Sequence, residues 1–198
     1  MTQPTAPAPL HPLRRALTLW GAVIALMWLL LITDWIVPAH LTAYGITPRS
    51  LEGLTGIATA PFLHAGAAHL ASNTVPLIVM GTIAALRDWR GMWIALIVAT
   101  LASGIGVWLF SPAHSVTVGA SGVVFGLLGY LLARGIVMRR IGDFLIALAV
   151  LAVYGTAVWG IFPSLPHISW QGHLFGFLGG IGAAFMARNA ARVAATAP

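Results

Sequence analysis

The placement of charge constrains this chain more than any other feature. Residues 16–33, 53–86, 91–133 and 144–187 contain no Asp, Glu, Lys or Arg. About 20 apolar residues cross the hydrocarbon core of a bilayer as a helix. Backbone in lipid must satisfy its own hydrogen bonds, which favours helices over open strands. The first interval holds one helix, and the second holds one helix plus part of a loop. The third and fourth each hold two helices, broken at Ser111-Pro112 and at Pro163-Ser164-Leu165-Pro166. The chain therefore reads as an all-α membrane protein, a six-helix bundle. The spans lie near residues 16–37, 66–86, 92–110, 117–137, 143–162 and 169–188.

Composition agrees. Only 7% of the 198 residues are charged, against about 25% in a soluble domain, so this chain cannot cover a water-facing surface. A soluble enzyme, a disordered chain and a collagen-like chain are excluded. The net charge of +6 does not mark a nucleic-acid binder, which needs a dense basic face. The absence of cysteine excludes disulfides, thiolate metal sites and Cys nucleophiles.

Six spans place both termini on one side. Arg14, Arg15, Arg87, Arg90, Arg134, Arg139, Arg140, Arg188 and Arg192 then share a face, and Arg49 alone lies opposite. The positive-inside rule makes the shared face cytoplasmic, in the plasma membrane. The first apolar run lacks a small-residue cleavage site and is followed by further spans, so it reads as an anchor and not as a signal peptide. Residues 1–15 read as a disordered cytoplasmic segment, 16–188 as the bundle and 189–198 as a cytoplasmic tail. Residues 38–62 form a long outer loop with Pro38, Pro48 and Pro61. No internal repeat or second domain is evident.

Polar groups in lipid are costly, so those within spans are functional candidates. His69 and Asn73 stand at i and i+4 on the second span, on one helix face. Ser121 opens the fourth span within Gly119-Ala120-Ser121-Gly122, and His173 opens the sixth within Gly172-His173-Leu174-Phe175-Gly176. These three spans all run inward from the outer face, so the four residues share a depth in the outer half of the bilayer. Gly119, Gly122, Gly126 and Gly129 punctuate the fourth span and Gly172, Gly176, Gly179 and Gly180 the sixth, small residues at spacings that let spanning helices approach closely.

A Ser hydroxyl needs a base to become a nucleophile, and His173 is a candidate base. An attacked peptide carbonyl develops an oxyanion that needs donors. The Asn73 amide, the His69 imidazole and the Ser121 N–H are candidates. No acidic residue accompanies them, which points to a Ser-His dyad without an Asp orienter.

These motifs resemble those of the rhomboid family of intramembrane serine proteases. The matching pieces are His64-x4-His69-x3-Asn73, Gly-Ala-Ser-Gly at 119–122, and His173 with Gly176 and Gly180, across about residues 16–188. The resemblance implies Ser121 as nucleophile, His173 as base, and His69, Asn73 and Gly119 at the oxyanion and substrate site. It makes His64, Gly122, Phe125, Gly176 and Gly180 supporting residues. It also implies a water-accessible cavity, a lateral gate at the fifth span, transmembrane protein substrates cut near the outer membrane boundary, and no cofactor or metal. Two departures are visible. Thr59-Ala60-Pro61-Phe62 stands where many members carry a Trp-Arg pair, and Phe125 stands where some carry a Tyr stacked on the catalytic His.

Blander roles compete. Ser121 alone would be a packing residue, and His64 reads as a support for the loop. His114 and His167 read as solvated, and Ser72, Ser103 and Ser169 as partners of helix carbonyls. The Trp residues include Trp20, Trp28, Trp35, Trp89, Trp93 and Trp108, several near span ends, which suits an interfacial aromatic belt better than a ligand site. The rival classes are an inactive relative that binds transmembrane clients, a His-ligated metal or haem protein, and a small transporter. No His-Glu-x-x-His or accompanying carboxylate supports the metal reading. The transporter reading lacks repeat halves.

Overall fold

A computed structural model describes residues 11–37, 40–163 and 168–196. Residues 1–10, Pro38, Ala39, Ser164, Leu165, Pro166, His167 and residues 197–198 lie outside the described residues, and with them the expectations placed on those positions. The elements are α1 (Pro12–Ile36), α2 (Gly56–Thr59), α3 (Ala67–Arg87), α4 (Trp89–Phe110), α5 (Ser121–Val137), α6 (Ile141–Tyr154) and α7 (Trp170–Thr196). Among the described residues no strand forms; one antiparallel bridge joins Ile46 to Thr117. The chain is an all-helical bundle.

Five of the apolar helical segments are long enough to span a bilayer, with α6 continued through a 3-10 turn to Ile161. The sixth, α5, has only 17 residues, about 25 Å at 1.5 Å per residue. Its position compensates for its length. Tyr130, Leu127, Leu128 and Leu131 are almost wholly buried, so α5 is surrounded by protein and its ends need not reach the headgroups. It is the central post, packed mainly on α7 and also on α4 and α6, while α1 packs on α3.

Several helix ends differ from the sequence reading. α1 begins at Pro12 and not at residue 16, because Pro at the first helical position is preset for the helix. Arg14 and Arg15 are therefore helical, and the Arg15 guanidinium sits 3.8 Å above the Trp89 ring. α7 continues past residue 188 to Thr196 through a run rich in Ala, the best helix former. α5 begins at Ser121 and not at 117. Thr117 exchanges two backbone hydrogen bonds with Ile46, at 2.9 and 3.0 Å, and Gly119 has φ +119°; both hold the chain out of helical conformation.

The α5–α7 seam is made of glycine. A methyl added at Gly176 would collide with the Gly122 carbonyl, and one at Gly180 with the Gly126 carbonyl. The two helices thus touch backbone to backbone, in parallel register, both running the same way through the bundle. Side chains larger than hydrogen would separate them.

Candidate active site

The outer loop is built first, because it positions the turn before Ser121. Arg49 donates from its guanidinium to the carbonyls of Leu109 and Ser111, at 3.0 and 2.8 Å. The Trp108 indole donates to the Ser50 carbonyl at 2.8 Å. The loop is therefore fastened to the end of α4 by an Arg and a Trp from other positions than the missing pair. The sequence reading missed Arg49; its isolation from the nine other arginines was the available signal. Trp108 serves as a loop tie, and Trp20 is buried at 3% exposure beneath Gly81, so neither belongs to the aromatic belt.

His64 and His69 meet edge to face at 5.0 Å between ring centroids. His64 Nε2 accepts the Ala120 N–H at 3.3 Å, and the Ala60 carbonyl accepts the Gly119 N–H at 2.9 Å. Together these bonds clamp the turn that delivers Ser121 to the first position of α5. Gly119 needs to be glycine twice over. Its positive φ is strained for any side chain, and a Cβ there would lie 2.6 Å from the His69 ring.

His173 lies on the first turn of α7. Its ring stacks on Phe125 of α5, with centroids 4.1 Å apart and planes 7° from parallel. Its Nδ1 is 3.0 Å from the carbonyl oxygen of Gly160, in the 3-10 extension of α6. The first turn of α7 is capped by Ser169, whose hydroxyl accepts the Gly172 N–H at 3.4 Å; Ser169 thus caps a helix where the sequence suggested a bond to a helix carbonyl. Among the described residues Ser121 Oγ makes no hydrogen bond to His173. What brings the two helix starts together is the seam: a Cβ on Gly122 would lie 3.3 Å from the Gly172 carbonyl.

Asn73 is buried at 4% exposure. One of its amide hydrogens goes to the His69 carbonyl at 3.0 Å, and the Ser72 hydroxyl donates to the same carbonyl at 2.8 Å. Pro76 lies inside α3 without ending it. Beside Ser121 is a cavity of about 20 Å³, lined in part by Thr100, Ser103, Thr117, Ser169 and Gly172. That volume admits one water molecule, and the hydroxyl side chains stand within a mainly apolar lining. His114 is exposed in the loop after α4, as its sequence position suggested. Among the described residues no group of three His, Asp or Glu side chains is arranged to hold a metal ion.

Residues 52–190 match the Rhomboid domain family. The uncharacterized protein Rv1337 of Mycobacterium tuberculosis is 38% identical over 172 residues, covering 82% of this chain and 71% of that protein. The uncharacterized protein ML1171 of Mycobacterium leprae is 36% identical over 174 residues, covering 82% of this chain and 68% of that protein. Rhomboid protease GluP of Bacillus subtilis is 36% identical over 129 residues, covering 62% of this chain and 24% of that protein. With most of its length matched and its three motif-bearing helix starts gathered at one end of an all-helical membrane bundle, the chain belongs to the rhomboid family.

Proposed function

We propose that this protein is an intramembrane serine endopeptidase of the plasma membrane, with cytoplasmic termini, that cuts transmembrane proteins near the outer membrane boundary. The observation that carries the reading is the setting of His173. Its imidazole is stacked on Phe125 and held at Nδ1, on the helix that meets Ser121's helix through bare backbone. A packing histidine needs no such fixation. The similarity to rhomboid protease GluP of Bacillus subtilis supports the same activity.

In this mechanism His173 takes the proton from Ser121 Oγ as the oxygen bonds to the scissile carbonyl carbon. The carbonyl π electrons move to oxygen, and the oxyanion is met by donors at the start of α5 and on α3. The first N–H groups of a helix have no intrahelical acceptor, so the Ser121 N–H is free for this task. The second amide hydrogen of Asn73 and the His69 ring complete the set. Collapse breaks the C–N bond, and the proton on His173 goes to the departing amine. A water then attacks the acyl carbonyl carbon and gives its proton to His173; collapse of that intermediate breaks the bond to Ser121 Oγ, which takes the proton from His173 as the carboxyl product leaves.

The detergent-solubilised protein is expected to react covalently with a serine-directed fluorophosphonate and to cleave a transmembrane reporter. Ser121→Ala and His173→Ala each abolish both, with an unchanged far-ultraviolet spectrum. Full labelling of Ser121→Ala would overturn the mechanism. Asn73→Ala is expected to lower kcat by about 10-fold or more, as loss of an oxyanion donor does; an unchanged kcat would remove Asn73 from that role.

A further inference from the structure

The hydrogen bond between His173 and Gly160 determines more than the ring's position. A carbonyl oxygen can only accept, so the His173 nitrogen 3.0 Å from it carries the proton. In a neutral imidazole that leaves Nε2 as the acceptor and the basic atom. Resting on the protease reading, we propose that Gly160 is a positioning residue whose main-chain carbonyl fixes His173 in the Nδ1–H tautomer and presents Nε2 as the base.

In soluble Ser-His-Asp sites a buried carboxylate does this work, orienting the imidazole and steadying the imidazolium that forms. An ionised acid in this part of the bundle would be costly in lipid. A carbonyl dipole performs the orienting role at no such cost. The dyad inferred from the missing acids is thus completed by backbone, which carries no signature in the sequence.

Three features make the assignment specific. The ring is confined, since its face lies on Phe125 with planes 7° apart. The carbonyl reaches Nδ1 because residue 160 has no side chain: a Cβ there would stand 3.0 Å from Phe125 Cζ and 3.2 Å from Nδ1. And Gly160 belongs to the 3-10 turn of residues 155–161, beyond the end of α6, where backbone carbonyls leave the α-helical ladder. The lock therefore depends on the outer end of α6. That helix is fixed at its inner end by Asp143, and most of its surface faces outward.

The full chain, labelled with ¹⁵N-histidine and reconstituted in phosphatidylcholine vesicles, can be read by solid-state NMR at neutral pH, with His173→Ala supplying the assignment by difference. A neutral ring with protonated Nδ1 and bare Nε2 is expected. The Nε2–H tautomer, or a mixture of the two, would overturn the assignment. Gly160→Ala is read for tautomer and turnover together. Loss of the pure Nδ1–H signal with a fall in kcat of about 10-fold or more, and KM altered less than about twofold, supports the role. Loss of that signal with wild-type kcat overturns it. The underlying activity is judged separately: labelling that survives in Ser121→Ala defeats the protease reading whatever the tautomer. A wrong tautomer alongside Ser121-dependent labelling defeats only the assignment to Gly160.

Discussion

His64 does its work through one lone pair. It is 3% exposed, and its Nε2 accepts the Ala120 N–H, which a protonated Nε2 could not do. Burial, reinforced by His69 and opposed by the backbone at Phe62, lowers its pKa from 6.5 to about 4. The unfolded chain therefore takes up this proton first as pH falls. The stabilisation is complete above pH 6.5, declines below it, and is gone near pH 4. At about 1.4 kcal/mol per unit, the loss approaches about 3 kcal/mol. Between those limits the melting temperature of the wild type should fall more steeply with acid than that of His64→Gln. Equal slopes in the two proteins would remove His64 from the clamp on the Ser121 turn.

At the scale of elements, α6 is the loosely held helix. Asp143, Ala147 and Val150 are its buried residues, while Phe144, Leu145, Leu148 and Leu151 face outward. Its inner end is held by charge. Asp143 Oδ1 accepts from Arg134 Nε at 2.9 Å and from Arg87 Nε at 3.0 Å. Arg134 also donates to the Tyr130 hydroxyl at 3.0 Å and pairs with Asp88 at 3.3 Å. Arg134, which the span count assigned to the cytoplasmic connection, thus lies within α5 and turns inward, 3% exposed. Removing one partner of a buried pair leaves the other unpaired and costs about 3–5 kcal/mol. Asp143→Asn should therefore lower the melting temperature substantially. The double variant Arg134→Met with Asp143→Leu should recover much of that loss, because the two buried charges leave together and the partners left over, Arg87 and Asp88, are part-exposed and can be solvated. A double variant as unstable as the sum of the single ones would show that the ions do not act as a unit.

At the scale of the whole molecule, the orientation in the bilayer rests on the arginine count. Because the chain has no cysteine, single thiols can report it cleanly. His114→Cys lies in the exposed loop after α4, and Arg192→Cys lies near the exposed end of α7. A membrane-impermeant maleimide added to intact cells should label the first and not the second; permeabilisation should expose both. The reverse pattern would overturn the assignment of cytoplasmic termini.

The sequence alone determined the class of solvent, the six apolar helices, and the presence of His69, Ser121 and His173 near the starts of helices running the same way. These are legible because lipid excludes charge: each ionised residue is forced to a boundary, and position along the chain becomes depth in the membrane. The glycine spacing also announced close packing. Tertiary structure decided the rest. α5 starts at Ser121 because Ile46, Ala60 and His64, more than 50 residues earlier, hold Thr117, Gly119 and Ala120 in hydrogen bonds outside the helix. Arg134 turns inward because Asp143 and Asp88 wait there. The partner of His173 is a carbonyl, present at every residue, so no residue type could mark Gly160. Bonds between distant backbone groups leave no local pattern, and only the packing of α6 against α7 selects which one is made.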